Sequence, residues 1–207
     1  MKRRLCLLFF IGLLLTGCGK NITSDTISEM NEPKHQTEAV LEEDSAVTDS
    51  EKTKEAGEDE AYVLEFTATT VDGEEFTSEC FSESKLTMIN IWATYCNPCL
   101  SEMPDLGEIA AYYDSEEFQI IGVVSDVAEG SSEETVSGVK DLIIQTNAHY
   151  PHLLLSESLY MNLVGMVDSV PTTFFVNQDG EPLGYVVGAR SKEAWEEMIH
   201  ELLAEME

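Results

Sequence analysis

Apolar and polar positions divide the chain into three regimes. Leu5 to Leu15 is an apolar run, residues 19 to about 60 hold no sustained apolar period, and from Ala61 short apolar runs alternate with stretches of helical period. In this last regime Tyr62 to Thr70 alternates loosely before the turn signal Val71-Asp72-Gly73-Glu74, which predicts a hairpin ending near Thr77. Leu86–Trp92 and Phe118–Val124 are short apolar runs suited to buried strands. Pro98–Tyr113 reads as a helix, with Met103, Leu106, Ile109, Ala110 and Tyr113 at helical spacing. Glu133–Asn147 reads as a second helix, with Val136, Val139, Ile143 and Ile144 on one side. His152–Leu155 is a short extended piece and Leu159–Val164 a short helix. Thr172–Asn177, the turn Asp179-Gly180 and Leu183–Val187 form a hairpin. Lys192–Glu205 closes the chain as an amphipathic helix that turns Trp195, Met198, Ile199 and Leu202 inward. Strands alternating with helices predict an α/β domain over residues 61–207, built on a central mixed sheet flanked by helices.

The first two regimes have a different meaning. Lys2, Arg3 and Arg4 precede the apolar run, and small residues follow it, the pattern of a secretory signal over residues 1–17. The run is too short for a conventional span, which needs about 20 apolar residues. Leu15-Thr16-Gly17-Cys18 resembles the bacterial lipobox, which implies a lipid on Cys18 and cleavage just before it. Residues 18–60 then form the lipidated cysteine and an acidic linker. Residues 19–60 carry 13 acidic and 4 basic residues and no aromatic one. That composition buries too little surface to offset its ordering entropy, so disorder is expected there. A flexible coil of this length spans about 35–40 Å end to end.

Charge narrows the function classes. The chain holds 11 basic and 40 acidic residues, a net of −29, and loss of the three cations in the signal makes the remainder more acidic still. Such a surface repels nucleic acid and anionic headgroups.

Cysteine usage points to chemistry. Of the five cysteines, Cys6 and Cys18 lie in the signal and lipobox. Cys80, Cys96 and Cys99 remain, an odd number that excludes a fully paired scaffold. Cys96-Asn97-Pro98-Cys99 sits where a predicted strand hands over to a helix. There, unsatisfied N–H groups and the positive end of the helix dipole favour a thiolate at Cys96. Pro98 costs little, because its missing N–H falls among those without a helical partner. Cys96 is expected to be the exposed attacking thiol and Cys99 the more buried resolving one. A structural zinc half-site needs two more ligands. No second Cys-x-x-Cys exists, and His35, His149, His152 and His200 are scattered, so no metal and no cofactor are expected. Cys80 is expected in a loop as a partly buried, inert thiol, with a regulatory or dimer-forming role as the alternative.

Trp92-Ala-Thr-Tyr-Cys96-Asn-Pro-Cys99 after a buried strand resembles the thioredoxin superfamily. Cys96-Asn-Pro-Cys99-Leu-Ser-Glu102-Met-Pro104 is similar, more narrowly, to the Cys-x-x-Cys-x-x-Glu-x-Pro pattern of the TlpA/ResA-type extracytoplasmic disulfide reductases. The resemblance runs from about Tyr62 to the C-terminus. It implies a thioredoxin-like fold with an N-terminal β-hairpin and a central insertion near residues 145–165. Glu102 matches the family acid, while Asn90 stands where thioredoxins carry a buried acid. A carboxyl at Glu102, three residues after Cys99, is placed to accept the proton that Cys99 must lose. A surface glutamate stabilised by the helix dipole is the plainer alternative. Val170-Pro171-Thr172-Thr173-Phe174 matches the family's Pro-Thr segment and implies a cis bond before Pro171, packed against the dithiol. Trp92, Asn97, Pro98, Val170 and Thr172 complete the expected surround.

The resemblance implies reduction of disulfides in exported proteins such as apocytochrome c or an oxidised methionine sulfoxide reductase. It also implies electrons from an integral membrane thiol carrier and a place outside the cytoplasm. Rivals remain: a disulfide-forming oxidase, and a non-catalytic metallochaperone. A thiol peroxidase is disfavoured, because Ala93 stands where a Thr-x-x-Cys arrangement needs threonine.

Overall fold

The computed structural model describes residues 62–206. The expected signal, Cys18 and the linker lie outside these residues. The described chain opens with the hairpin β1 (Thr67–Thr69) and β2 (Glu75–Thr77), then β3 (Leu86–Trp92), α1 (Asn97–Tyr112), β4 (Phe118–Ala128) and α2 (Glu133–Gln145). It continues through β5 (His152–Leu155), α3 (Glu157–Asn162), β6 (Thr172–Asn177), β7 (Pro182–Val187) and α4 (Lys192–Glu205). The main sheet has the order β5-β4-β3-β6-β7, with β3, β4 and β5 parallel and β6 and β7 antiparallel to their neighbours. This is the predicted mixed α/β architecture, and β3, β5, β6 and α4 coincide with their expected bounds.

Every residue of β3 is buried, as a central strand covered on both faces requires. Register and alternation separate the two faces. On one face Leu86, Met88, Phe118, Ile120 and Val124 pack with Met103, Leu106 and Ile109 of α1 and with Trp195 and Ile199 of α4. On the other, Ile89, Ile91, Ile121, Val123, Leu153 and Val176 pack with Leu64, Phe66 and Phe81 and with Leu159 of α3. Each such aliphatic side chain contributes roughly 1.5–3 kcal/mol on burial. Ser132, Ser156 and Ser191 cap α2, α3 and α4 by accepting from backbone N–H groups three residues on.

Three local expectations differ from the structure. Ile144 is 65% exposed, because the buried stripe of α2 follows Val139 and Ile143 and the next residue turns away from it. The segment expected as a loop around Cys80 is a 3-10 helix, Ser78–Glu83, which buries Cys80 and Phe81 beneath the second face. Strand β4 runs on to Ala128, with a register shift between Val124 and Ala128. Among the described residues no helix is long and apolar enough to cross a membrane.

Candidate active site

The dithiol sits at the junction of β3 and α1. Cys96 is the N-cap of α1, in extended backbone conformation, and its sulfur accepts from the Cys99 N–H at 3.2 Å. Asn97 and Pro98 follow as the first two helical positions, so the proline ring replaces an N–H that no helical carbonyl awaits. Cys96 and Cys99 are joined as a disulfide, with Cα atoms 5.3 Å apart. Cys99 is fully buried and Cys96 is 5% exposed. The expected order of exposure therefore holds, but Cys96 is far less open than an isolated attacking thiol. The bond to Cys99 and the capping interaction draw its sulfur inward. Tyr95, Asn97 and Pro98 are exposed around it. The Ala93–Thr94 approach is fixed by the Asp126 carboxylate, which accepts from the Thr94 backbone N–H at 3.0 Å.

Strand pairing brings the proline loop to the same end of the sheet. Ile91 pairs with Thr172, so Pro171 stands beside the end of β3 that leads to Cys96. The Val170–Pro171 bond is cis. Thr172 Oγ1 donates to the Ser169 carbonyl, and the Pro171 carbonyl accepts from Gly188 N–H at 2.8 Å. Val170 packs against the cluster that contains Trp92, Cys96 and Cys99.

Glu102 is 3% exposed and is the only buried carboxyl among the described residues. Its Oε1 accepts from Asn90 Nδ2 and its Oε2 from the Arg190 backbone N–H, each at 3.1 Å. Asn90 Nδ2 also donates to Thr173 Oγ1 across the β3–β6 pair. Burial raises the Glu102 pKa, and the N–H donors oppose that rise without cancelling it. The surface-glutamate alternative is thus excluded by position. α1 places Glu102 one turn beyond Cys99, with both side chains turned into the protein.

Trp92, expected beside the dithiol, is held by a residue that no motif singled out. Its indole N–H donates to His152 Nδ1 at 3.2 Å, and His152 Nε2 donates to the Ala148 carbonyl at 3.0 Å. This pair of bonds fixes one neutral tautomer. Burial lowers the His152 pKa to about 4. The imidazole stacks on Tyr150, ring centroids 4.4 Å apart, and lies across Gly122 of β4. A Cβ on Gly122 would stand 2.2 Å from His152 Nδ1. His152, Gly122, Asn90 and Thr173 are successive register partners on four neighbouring strands. They form a row beneath α1 in which the glycine leaves room for the histidine. The His-Tyr-Pro-His run was visible in the sequence, but nothing local linked His152 to Trp92.

Cys80 lies apart from this constellation, among the aliphatic residues of the opposite face. Burial, with Glu83 nearby, pushes its thiol up to about 12, so it is inert at neutral pH. Among the described residues no cluster of His, Cys, Asp and Glu has the arrangement of a metal site.

A protein-family model described as the AhpC/TSA family matches residues 60–181. Thiol-disulfide oxidoreductase ResA of Bacillus thuringiensis subsp. konkukian is 26% identical over 137 residues, covering 66% of this chain and 74% of the relative. Sporulation thiol-disulfide oxidoreductase A of Bacillus subtilis is 25% identical, over 66% of this chain and 78% of its own. The crystal structure of a thioredoxin-family thiol:disulfide interchange protein from Chlorobium tepidum superposes with a TM-score of 0.57. It has 27% identity, and the match covers 68% of this chain and 94% of that one. With the Cys96–Cys99 pair at the head of α1 on a thioredoxin-like sheet, and relatives of this kind, the chain belongs to the AhpC/TSA family and is a thiol–disulfide oxidoreductase.

Proposed function

We propose that this oxidoreductase reduces disulfides in exported proteins while a lipid on Cys18 holds it to the outer side of the cell membrane. The Cys96 thiolate, stabilised at the helix N-terminus, attacks one sulfur of the substrate disulfide. A Cys96–substrate bond forms, and the other substrate sulfur leaves as a thiolate and takes a proton from water. Cys99 then gives its proton to the Glu102 carboxylate and attacks the Cys96 sulfur. The Cys96–Cys99 bond forms as the mixed disulfide breaks, and the second substrate sulfur leaves with the electron pair. The substrate has gained two electrons and the enzyme is left as a disulfide. An integral membrane thiol carrier returns it to the dithiol. The cis-proline loop, Val170 to Thr172, lies at the same end of the sheet, where an incoming polypeptide would meet the sulfur of Cys96.

The observation that carries this reading is the burial of Glu102 one turn from Cys99 within N–H donors. A carboxyl there, with its pKa raised by burial, exchanges a proton with a buried thiol more readily than an ordinary surface glutamate does. The test is a Cys99→Ser variant expressed in cells. It is expected to accumulate exported proteins as mixed disulfides on Cys96, and the double variant with Cys96→Ser to accumulate none. Failure to capture any protein ends the reductase reading. The reduction potential of the pair decides direction. A value below the extracytoplasmic poise is expected, and one well above it makes the oxidase the better reading.

A further inference from the structure

β3 ends at Trp92 and α1 begins at Asn97, so a short loop must deliver Cys96 to the cap of the helix. Ala93 is buried, but Thr94 is only half-buried and Tyr95 is 74% exposed, so packing anchors little of this loop. Hydrogen bonds hold it instead. The Cys96 N–H donates to the Ala93 carbonyl at 3.0 Å, which closes a turn over Ala93–Cys96. Among the described residues, two side chains bond the backbone of residues 92–95, and both come from β4. Ser125 Oγ donates to the Trp92 carbonyl at 2.9 Å. The Asp126 carboxylate accepts from the Thr94 N–H, at 3.0 Å and 3.2 Å to its two oxygens, and also from Thr94 Oγ1.

A local irregularity of β4 puts these two side chains there. Val124 is the register partner of Trp92 on β3 and of Leu154 on β5. The next pair on the β5 side is Ala128 with Leu155, so Ser125, Asp126 and Val127 are extra residues on β4. A regular strand turns successive side chains to opposite faces and does not send two adjacent ones to the same neighbour. A bulge bends its strand and re-aims side chains. Here Val127 stays buried in the cluster that contains Cys96 and Cys99, which pins the bulge to the core. Ser125 and Asp126 are thereby free to reach the loop beyond the end of β3.

We propose that Asp126 is a positioning residue for Cys96: its carboxylate holds Thr94, and through the turn that follows it keeps the Cys96 sulfur at the cap of α1. A thiolate there is stabilised by the N–H groups of the first helical turn. When the turn is free to open, the sulfur leaves those donors and more of it stays protonated at a given pH. The inference rests on the reading of Cys96 as the attacking thiol and holds for either direction of electron flow. The titratable side chains on the segments that meet at Cys96 are Tyr95 in the loop, Cys99 and Glu102 on α1 and Asp126 on β4; Val170 to Thr172 carry none. Asp126 acts on the thiolate in two opposite ways. Its charge disfavours a second anion, while its hold on Thr94 favours one. The sign of the change on its removal separates the two.

The test uses the reduced full-length chain and an aromatic disulfide that releases a coloured thiolate, the first equivalent reporting attack by Cys96. In Asp126→Ala the acid limb of this phase is expected to move up by about half a pH unit, with the rate below the limb falling about threefold. In Asp126→Asn, whose side-chain carbonyl can still accept from Thr94, the limb is expected to stay in place or move down. An alanine limb that stays or moves down, or an asparagine limb that moves up with it, overturns the proposal. Lower stability alone leaves the limb of the folded molecules where it was. A second measurement needs no variant. Hydrogen exchange at the Thr94 amide, read by NMR, is expected to be slowed in the reduced protein, as its bond to Asp126 requires. An unprotected Thr94 amide overturns the proposal. If Cys96→Ser still releases the first equivalent, the reading of Cys96 as the attacking thiol fails and the proposal with it. If release depends on Cys96 but the alanine limb is unmoved, only the role of Asp126 fails.

Discussion

The two faces of the main sheet are built from the same strands and do different work. The face under α3 and the hairpin is aliphatic through its centre, with Ile89, Ile91, Ile121, Val123, Leu153 and Val176, and hydroxyls only towards its ends at Thr87 and Thr172. The face under α1 and α4 carries His152, Asn90, Thr173 and Glu102 in the middle of its core. Burying polar groups costs free energy unless each finds a partner, and three atoms on this face have none. One face therefore supplies stability, and the other gives some up to hold a carboxyl and an imidazole beside a dithiol. On the proposed reading, reactivity depends on what lies under the helix as much as on its first turn.

Substitutions on the two faces should separate these roles. The largest effect is expected from Glu102→Gln. It should slow resolution by Cys99 by on the order of 10²-fold or more, read as release of the second coloured thiolate when the reduced chain meets an aromatic disulfide. Stability at neutral pH should hold or rise. The folded-state pKa of Glu102 is raised, so its ionisation destabilises the native state as pH climbs above the ordinary carboxylate range, and glutamine removes that penalty. Ile121→Ala on the opposite face should do the reverse. It should cost about 2–5 kcal/mol in denaturant titration, with the rate per folded molecule unchanged. Loss of rate without loss of stability in that variant would mean that the faces are not independent. Gly122→Ala should cost about 1–3 kcal/mol through its clash with His152, and should also shift the Trp92 fluorescence.

The smallest effect is a pH slope. His152 titrates near 4 in the fold and near 6.5 in the unfolded chain, so between those values the unfolded state takes up a proton that the folded state refuses. Its contribution to stability is complete above pH 6.5 and is lost as pH falls towards 4, by up to about 1.4 kcal/mol per unit. The difference in stability between wild type and His152→Gln should show that slope. A flat difference would place a proton on His152 in the native state and break the Trp92 bond as described.

Local pattern was enough for the elements and for the dithiol. Leu86–Trp92 reads as a buried strand because both its faces are covered, and Cys96-Asn-Pro-Cys99 reads as a helix start because proline and the cap are local signals. What local pattern missed depends on register between distant segments. His152 reaches Trp92 only because β5 pairs with β4 so that His152 faces Gly122. Glu102 could be matched to a family motif, yet its donors come from β3 and from a loop 88 residues further along the chain. Trp195 was expected in the core on helical period alone, which is silent about where an indole N–H points. The helix around Cys80 was read as a loop for a related reason. A 3-10 turn has too few residues to show a period, so its burial follows from the face above it.

One backbone bond near the start of the described chain has a mechanical consequence. Leu64 N–H donates to the Gly180 carbonyl, in the turn where β6 hands over to β7. That turn is at the pole where Leu86 meets Asn177, while the sulfurs lie past the other pole, beyond Trp92. Leu64 therefore lies about 20 Å from the sulfurs, the length of β3 at roughly 3.3 Å per residue. Rotation of the domain about Leu64 would move the reactive pole through a wide arc while leaving the turn after β6 almost in place.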